Sequence, residues 1–177
     1  MSRRRPSSGE RRAGGAPNGR TPRRARIRPG RTARRVWLAA AVVAVAAILV
    51  LTLRPGEVPA SVNLKPLEHH GRALRALFSG ARNRPLLLRY LTTDVLGNLV
   101  LFLPFGLCIA GAAGAVRPVL RLALVGGLSL FLSAAVELIQ LGVPGRASDV
   151  DDVIFNVVGA LVGAAIYAVA ARRRGLG

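Results

Sequence analysis

Residues 137–163 read ELIQLGVPGRASDVDDVIFNVVGALVG. The stretch leaves one apolar segment, crosses a short polar loop and enters a second apolar segment. It holds Glu137, Gln140, Arg146, Asp149, Asp151, Asp152 and Asn156, and with them half of the chain's 8 acidic residues. A charge at the bilayer centre costs about 2.5–3.5 kcal/mol on insertion scales, so ionisable groups at span ends need partners or a function. A loop of this kind predicts a membrane protein whose polar residues gather at one surface.

The rest of the chain agrees. Hydrophobic residues make up 51% of its 177 positions and charged ones 19%, yet half of the 26 basic residues precede Val36. A soluble globular domain would disperse a net charge of +18 over its surface. Residues 1–35 are mainly Arg, Gly, Pro and Ser with a single acid, Glu10. Such a tail buries too little apolar surface to offset ordering entropy and is expected to be disordered. Basic arms bind nucleic acid elsewhere, but here no aromatic is interleaved for base stacking and an apolar run follows at once. No nucleic-acid partner is expected. The tail reads as a cytoplasmic retention signal that touches anionic lipid headgroups. The one cysteine, Cys108, has no intrachain disulfide partner, and no Cys/His spacing suggests zinc. His69 and His70 are adjacent, and neighbouring side chains do not face one site, so a paired-histidine metal site is not expected.

The uncharged run at 36–53, VWLAAAVVAVAAILVLTL, is near the lower limit of about 17 residues for a spanning helix. Trp37 stands where an interfacial aromatic belongs. Val58-Pro59-Ala60 resembles a small-residue cleavage site, but the long basic lead and long apolar core favour an uncleaved signal anchor. Further spans are predicted at 95–116, 119–140 and 153–171, ahead of a short tail at 172–177. Pro104 kinks the second span at a cost that membrane helices tolerate. Residues 54–94 form an extracytoplasmic loop. Within it Leu67, Leu74, Leu77 and Phe78 fall at helical spacing, with Arg72, Arg75 and Arg82 elsewhere on the wheel. That pattern predicts an interfacial helix lying on the membrane, or a lid over the polar loop. The fold class is therefore an all-α integral membrane protein with four transmembrane helices. Basic residues of the tail, Arg117, Arg121 and residues 172–174 outnumber those on the other side, which predicts both termini in the cytoplasm.

This order of spans brings Asp94, Asn98, Glu137, Gln140, Arg146, Asp149, Asp152 and Asn156 to one membrane depth on the outer face. Asp149, Asp152, Asn156, Gly159 and Gly163 step by three and four along one helical face, and Gly159 and Gly163 let another helix approach closely. Plain structural roles are open to the same residues. Ser148 or Asp149 caps the fourth helix, and Asp151 is a solvated first-turn acid that suits the helix dipole. Glu137 and Arg146 form an interhelical ion pair, Asn98 and Asn156 join helices by hydrogen bonds, and Tyr90 and Tyr167 anchor at the interface. Packing needs one or two polar pairs, however, and not this many groups at one depth.

Three blocks, DVLGNLVLFLPFG at 94–106, VELIQ at 136–140 and RASDVDDVIFNVVGALVG at 146–163, resemble the VanZ-like membrane proteins. That family is named for a teicoplanin-resistance accessory protein. The likeness spans about residues 60–165 and includes Asn63-Leu64-Lys65-Pro66, where Leu67 replaces a commoner aromatic. It implies a protein of the bacterial plasma membrane and cell envelope, linked to glycopeptide susceptibility. It marks Asn98, Pro104, Gly106, Glu137, Gln140, Arg146, Asp149, Asp152, Asn156 and Gly159 as motif positions. Pro104 and Gly106 then join Gly159 and Gly163 as helix-packing residues.

The expected site is a polar pocket at the outer leaflet, binding or acting on a lipid-linked phosphate or an envelope glycan precursor. Asp94, Glu137, Asp149 and Asp152 are candidates to hold a divalent cation through oxygen ligands, and Arg146 to receive a phosphate. Asp94, Asn98, Gln140, Asp149 and Asn156 are candidate ligand contacts. Glu137 or Asp152 would act as general base in a catalytic form. No nucleophilic Ser, Cys or His is evident there, and no nucleotide or coenzyme A pattern occurs. Two other readings stay open: a non-enzymatic docking factor for an envelope enzyme, and a small transporter subunit, which the lack of an internal repeat disfavours.

Overall fold

The computed structural model describes residues 30–56, 62–80 and 82–173. The expectation of disorder for residues 1–29 lies outside them. Residues 31–35, assigned to that tail, are helical and open α1 (Arg31–Thr52). Arginine is a good helix former, so the apolar run extends its helix back through them. There follow β1 (Val62–Asn63), α2 (Glu68–Phe78), α3 (Arg84–Leu91), α4 (Gly97–Ala113), α5 (Pro118–Gln140), β2 (Ser148–Asp149) and α6 (Val150–Arg173). A π-helical turn, Thr92–Leu96, joins α3 to α4 without a break.

That join corrects the second span. It runs Arg84–Ala113 and does not begin at Val95, so Asp94 lies inside a helix and not at the end of a loop. Pro85 falls in the first turn of α3, where its missing N–H is not needed, and starts the helix. Among the described residues four helices are long and apolar enough to cross a membrane: Arg31–Thr52, Arg84–Ala113, Pro118–Gln140 and Val150–Arg173. The shortest has 22 residues. It is about 33 Å long at 1.5 Å per residue, enough for a hydrocarbon core of roughly 30 Å.

Helices α4 and α6 form the central pair, with α1 against α4 and α5 against α6. Glycine makes the central contact. A Cβ at Gly106 would strike the backbone of Ala160, one at Gly159 the backbone of Leu99, and one at Gly163 the backbone of Leu103 and Leu107. Lipid offers no hydrophobic drive between helices, so close backbone approach and dispersion hold them. Pro104 is exposed on α4 and does not share this packing role. Ile48, Phe102, Phe105, Val125 and Val136 fill the core.

The two ends of the bundle differ. At one end Trp37 packs on Gly111 and meets Tyr167 edge-on, with ring centroids 5.7 Å apart. Arg121 lies over the Tyr167 ring and donates from Nη2 to the carbonyl of Gly114 at 2.6 Å. Tyr167, expected as an interface anchor, is thus an interhelical contact where α1 begins and α4 and α6 finish. The other end, where α1 and α5 finish and α6 begins, carries the polar residues.

Candidate functional site

The polar end is built on the loop between α5 and α6. Gly145, at φ 71°, makes its turn in a region glycine enters freely. The Gly56 N–H donates to the Pro144 carbonyl at 3.2 Å and ties the chain after α1 to this loop. Val62 and Asn63 then pair in parallel with Ser148 and Asp149. Asp149 precedes α6 as its cap and is not on the helix face itself: its Oδ1 accepts the Asp151 N–H at 2.9 Å. The same oxygen accepts Asn63 Nδ2 at 2.9 Å, and the Asp149 N–H donates to Glu137 Oε2 at 2.9 Å. Glu137, buried at the end of α5, is therefore an anchor for the loop.

Glu137 does not pair with Arg146. Arg146 donates to α1 instead, through Nε to the Thr52 carbonyl at 3.0 Å and through Nη2 to the carbonyls of Thr52 and Leu51. Gln140 Nε2 donates to the same Thr52 carbonyl at 2.9 Å. The last carbonyls of a helix lack intrahelical partners and carry the negative pole of its dipole, so they attract a cation. Two anchors replace the expected ion pair.

Asp151, expected as a solvated acid, is 0% exposed. Its Oδ1 accepts the Leu67 N–H at 2.6 Å, and its Oδ2 lies 2.6 Å from His70 Nδ1. Leu67 has φ 58°, an uncommon conformation for a residue with a Cβ, and the carboxylate on its N–H helps to hold it there. His70 Nε2 reaches Asp94 Oδ2 at 2.9 Å. The ring is buried, stacked by Tyr90 at 5.5 Å between centroids and met edge-on by Phe155 at 5.0 Å. One imidazole thus joins α2, the π-helical turn and α6. A histidine does stand at the site, contrary to expectation. Tyr90, read as a membrane anchor, is its stacking partner.

Beside this bridge opens a cleft of about 410 Å³, lined by Asn63, His69, Tyr90, Asp94, Asp149 and Asp152, with Arg146 also in its wall. Asp152 Oδ1 accepts Asn98 Nδ2 at 2.7 Å. Glu137, Asn98, Gln140 and Asn156 do not line the cleft. Asn156 sits a turn deeper and donates to Ser133 Oγ on α5 at 2.9 Å. The expected cation set of Glu137, Asp149 and Asp152 is not assembled, because Glu137 is turned to the Asp149 N–H. Among the described residues no three His, Cys, Asp or Glu side chains are grouped to hold a metal ion.

A family model described as VanZ/LLP1 matches residues 37–171. The chain belongs to the VanZ/LLP1 family. No curated protein and no solved structure matches it. With its four apolar helices, this VanZ/LLP1 chain is a multi-pass membrane protein. The matched span takes in the glycine contacts, the cleft, the imidazole bridge and the Arg146 clamp.

Sequence reasoning on this VanZ/LLP1 chain missed His69, His70 and Asp151 as members of the site. Adjacent side chains diverge by about 100° on a helix, which argued against a shared metal. The divergence is real, but carboxylates wait in both directions: His69 Nδ1 lies 3.9 Å from Asp149 Oδ2 while His70 meets Asp151 and Asp94. A signal was present in Glu68-His69-His70, a polar start to a helix otherwise made of Gly, Arg, Ala, Leu and Phe.

Proposed function

We propose that this protein binds the hydroxyl-rich headgroup of a lipid-linked envelope component in the polar cleft, at the outer face of a bacterial plasma membrane. The arginine bias supports that orientation, with both termini in the cytoplasm. One observation carries the reading. Asp94, Asp149 and Asp152 each give one carboxylate oxygen to protein donors, and all three line the cleft with a second oxygen outside those hydrogen bonds, that of Asp149 facing His69 at 3.9 Å. An acceptor-rich cleft suits ligand donors, such as sugar hydroxyls, better than it suits a bare phosphate. Arg146, the candidate for a phosphate, is engaged by the carbonyls of α1.

In a catalytic form, Asp152 is better supported as general base than Glu137, because it lines the cleft and Glu137 does not. Glycopeptide susceptibility would follow indirectly, through sequestration or alteration of a glycan-bearing precursor. The test is binding of glucosyl-diacylglycerol to the purified chain in lipid nanodiscs, read by native mass spectrometry. Losing one charged acceptor removes about 1.5–3 kcal/mol, so Asp152→Asn and Asp94→Asn should each weaken retention roughly 10- to 100-fold. Retention equal to wild type in both variants refutes the headgroup reading.

A further inference from the structure

The polar end holds a second cavity. On the other side of the His70 ring lies an apolar groove of about 520 Å³, lined by Gly71 and Leu74 from α2, Val95 and Leu96 from the π-helical turn, and Phe155 from α6. Leu74 and Leu96 are exposed, 48% and 55% respectively, at the end of an apolar bundle. His70 lines the groove, while its partner Asp94, 2.9 Å away, lines the polar cleft. An apolar and a polar cavity therefore adjoin across one imidazole–carboxylate contact.

We propose that the groove is the hydrocarbon-chain subsite of the cleft's ligand: it takes one chain of a lipid whose hydroxyl-rich headgroup fills the cleft. This rests on the reading of the cleft as a headgroup site. The ligand then arrives sideways from the bilayer and not from water. Lipid is as apolar as the groove, so a chain gains no hydrophobic free energy by moving between them. What the groove supplies is position: a seated chain holds the headgroup beside Asp94 and Asp152 at high effective concentration. Selectivity among lipids then comes from the headgroup.

Gly71 allows a test that leaves the fold intact. A Cβ there would meet nothing within 4 Å, and leucine is a better helix former than glycine. Gly71→Leu fills the groove, and Leu74→Trp narrows it from the same helix. Gly127→Leu, on α5 and also in open space, is the control. The full chain is placed in nanodiscs of phosphatidylethanolamine and phosphatidylglycerol. A trace of glucosyl-diacylglycerol or of phosphatidylcholine is added, each with a photoreactive diazirine on one chain, and labelled peptides are mapped after irradiation.

The glucosyl lipid should label the peptides of α2 and the π-helical turn about tenfold more than phosphatidylcholine does, a preference worth one decade of affinity. Gly71→Leu and Leu74→Trp should lower that labelling by a similar factor, and Gly127→Leu should not. Equal labelling in wild type and both groove variants would mean annular lipid only and overturns the inference. Loss of labelling in the groove variants with no preference between the two lipids keeps the chain subsite and overturns the headgroup reading instead.

Discussion

Removing Asp151 tests the bridge on which the polar end depends. Its carboxylate is wholly buried and holds two groups at 2.6 Å, the His70 Nδ1 and the Leu67 N–H. Breaking a buried, hydrogen-bonded pair from one side costs about 3–5 kcal/mol, because the remaining group keeps its desolvation penalty. Asp151→Ala should sit in that range. Asp151→Asn keeps an acceptor for Leu67 and should lose nearer the 1.5–3 kcal/mol of one charged hydrogen bond. His70→Ala strands Asp151 and Asp94 together and should cost about 3 kcal/mol. In the double variant Asp151→Ala/His70→Ala the two losses overlap, so the total should fall short of their sum by about 1–3 kcal/mol. The assay is equilibrium unfolding in mixed micelles titrated with dodecyl sulfate, followed by circular dichroism. Protease cleavage in the α2 segment gives a local readout alongside it. Losses that add to within about 0.5 kcal/mol would show that Asp151 and His70 do not share a network, and the account of α2 docking would fail.

Further outcomes follow from the same contacts. Gly163→Leu forces a side chain into the backbone of Leu103 and Leu107 and should abolish the folded yield in detergent, whereas Gly127→Leu should leave it unchanged. Arg146→Ala should cost about 1.5–3 kcal/mol by releasing the end of α1, and Arg146→Lys should restore little, since a single ammonium does not reproduce the two-nitrogen fork. Glu137→Gln retains an acceptor for the Asp149 N–H and should unfold near wild type, while Glu137→Ala should lose about 1–3 kcal/mol; equal losses would remove Glu137 from its anchoring role. Ser79→Cys should react with a membrane-impermeant maleimide added outside intact cells, and labelling only from the cytoplasmic side would invert the orientation of the site.

The helical class was legible because apolar runs of spanning length leave little choice in lipid, where every backbone group must bond within its own segment. The glycines at 159 and 163 were legible for a related reason: their spacing puts the absence of two side chains on one face. The start of the second span was not legible. A proline and two arginines, Pro85, Arg84 and Arg89, look like a loop when hydropathy alone is weighed, yet proline in a first turn begins a helix. Leu88 and Arg89 then offer carbonyls to the Thr92 hydroxyl at 2.8 and 3.1 Å, and the helix runs on into the π-helical turn.

The candidate site was legible as a place more than as a set of partners. Topology alone brings span ends to a common depth, so Asp94, Asp149 and Asp152 could be gathered from the chain order. Partner choice depends on which backbone groups are left orphaned, and sequence does not display those. Arg146 met the carbonyls that end α1 and not a carboxylate. Glu137 met the N–H of Asp149, which the turn at Gly145 delivers to it. Asp151 looked like a surface acid because the first turn of a helix favours one; the start of α2 folds over it, with Leu67 just before the helix supplying its N–H and His70 on the helix supplying its ring. Each correction moves a charged or polar group from display to anchoring. Among the described residues the cleft keeps three carboxylates, Asp94, Asp149 and Asp152, each with one oxygen tied to a protein donor and a second outside those hydrogen bonds, with no approach closer than that of His69 to Asp149 at 3.9 Å.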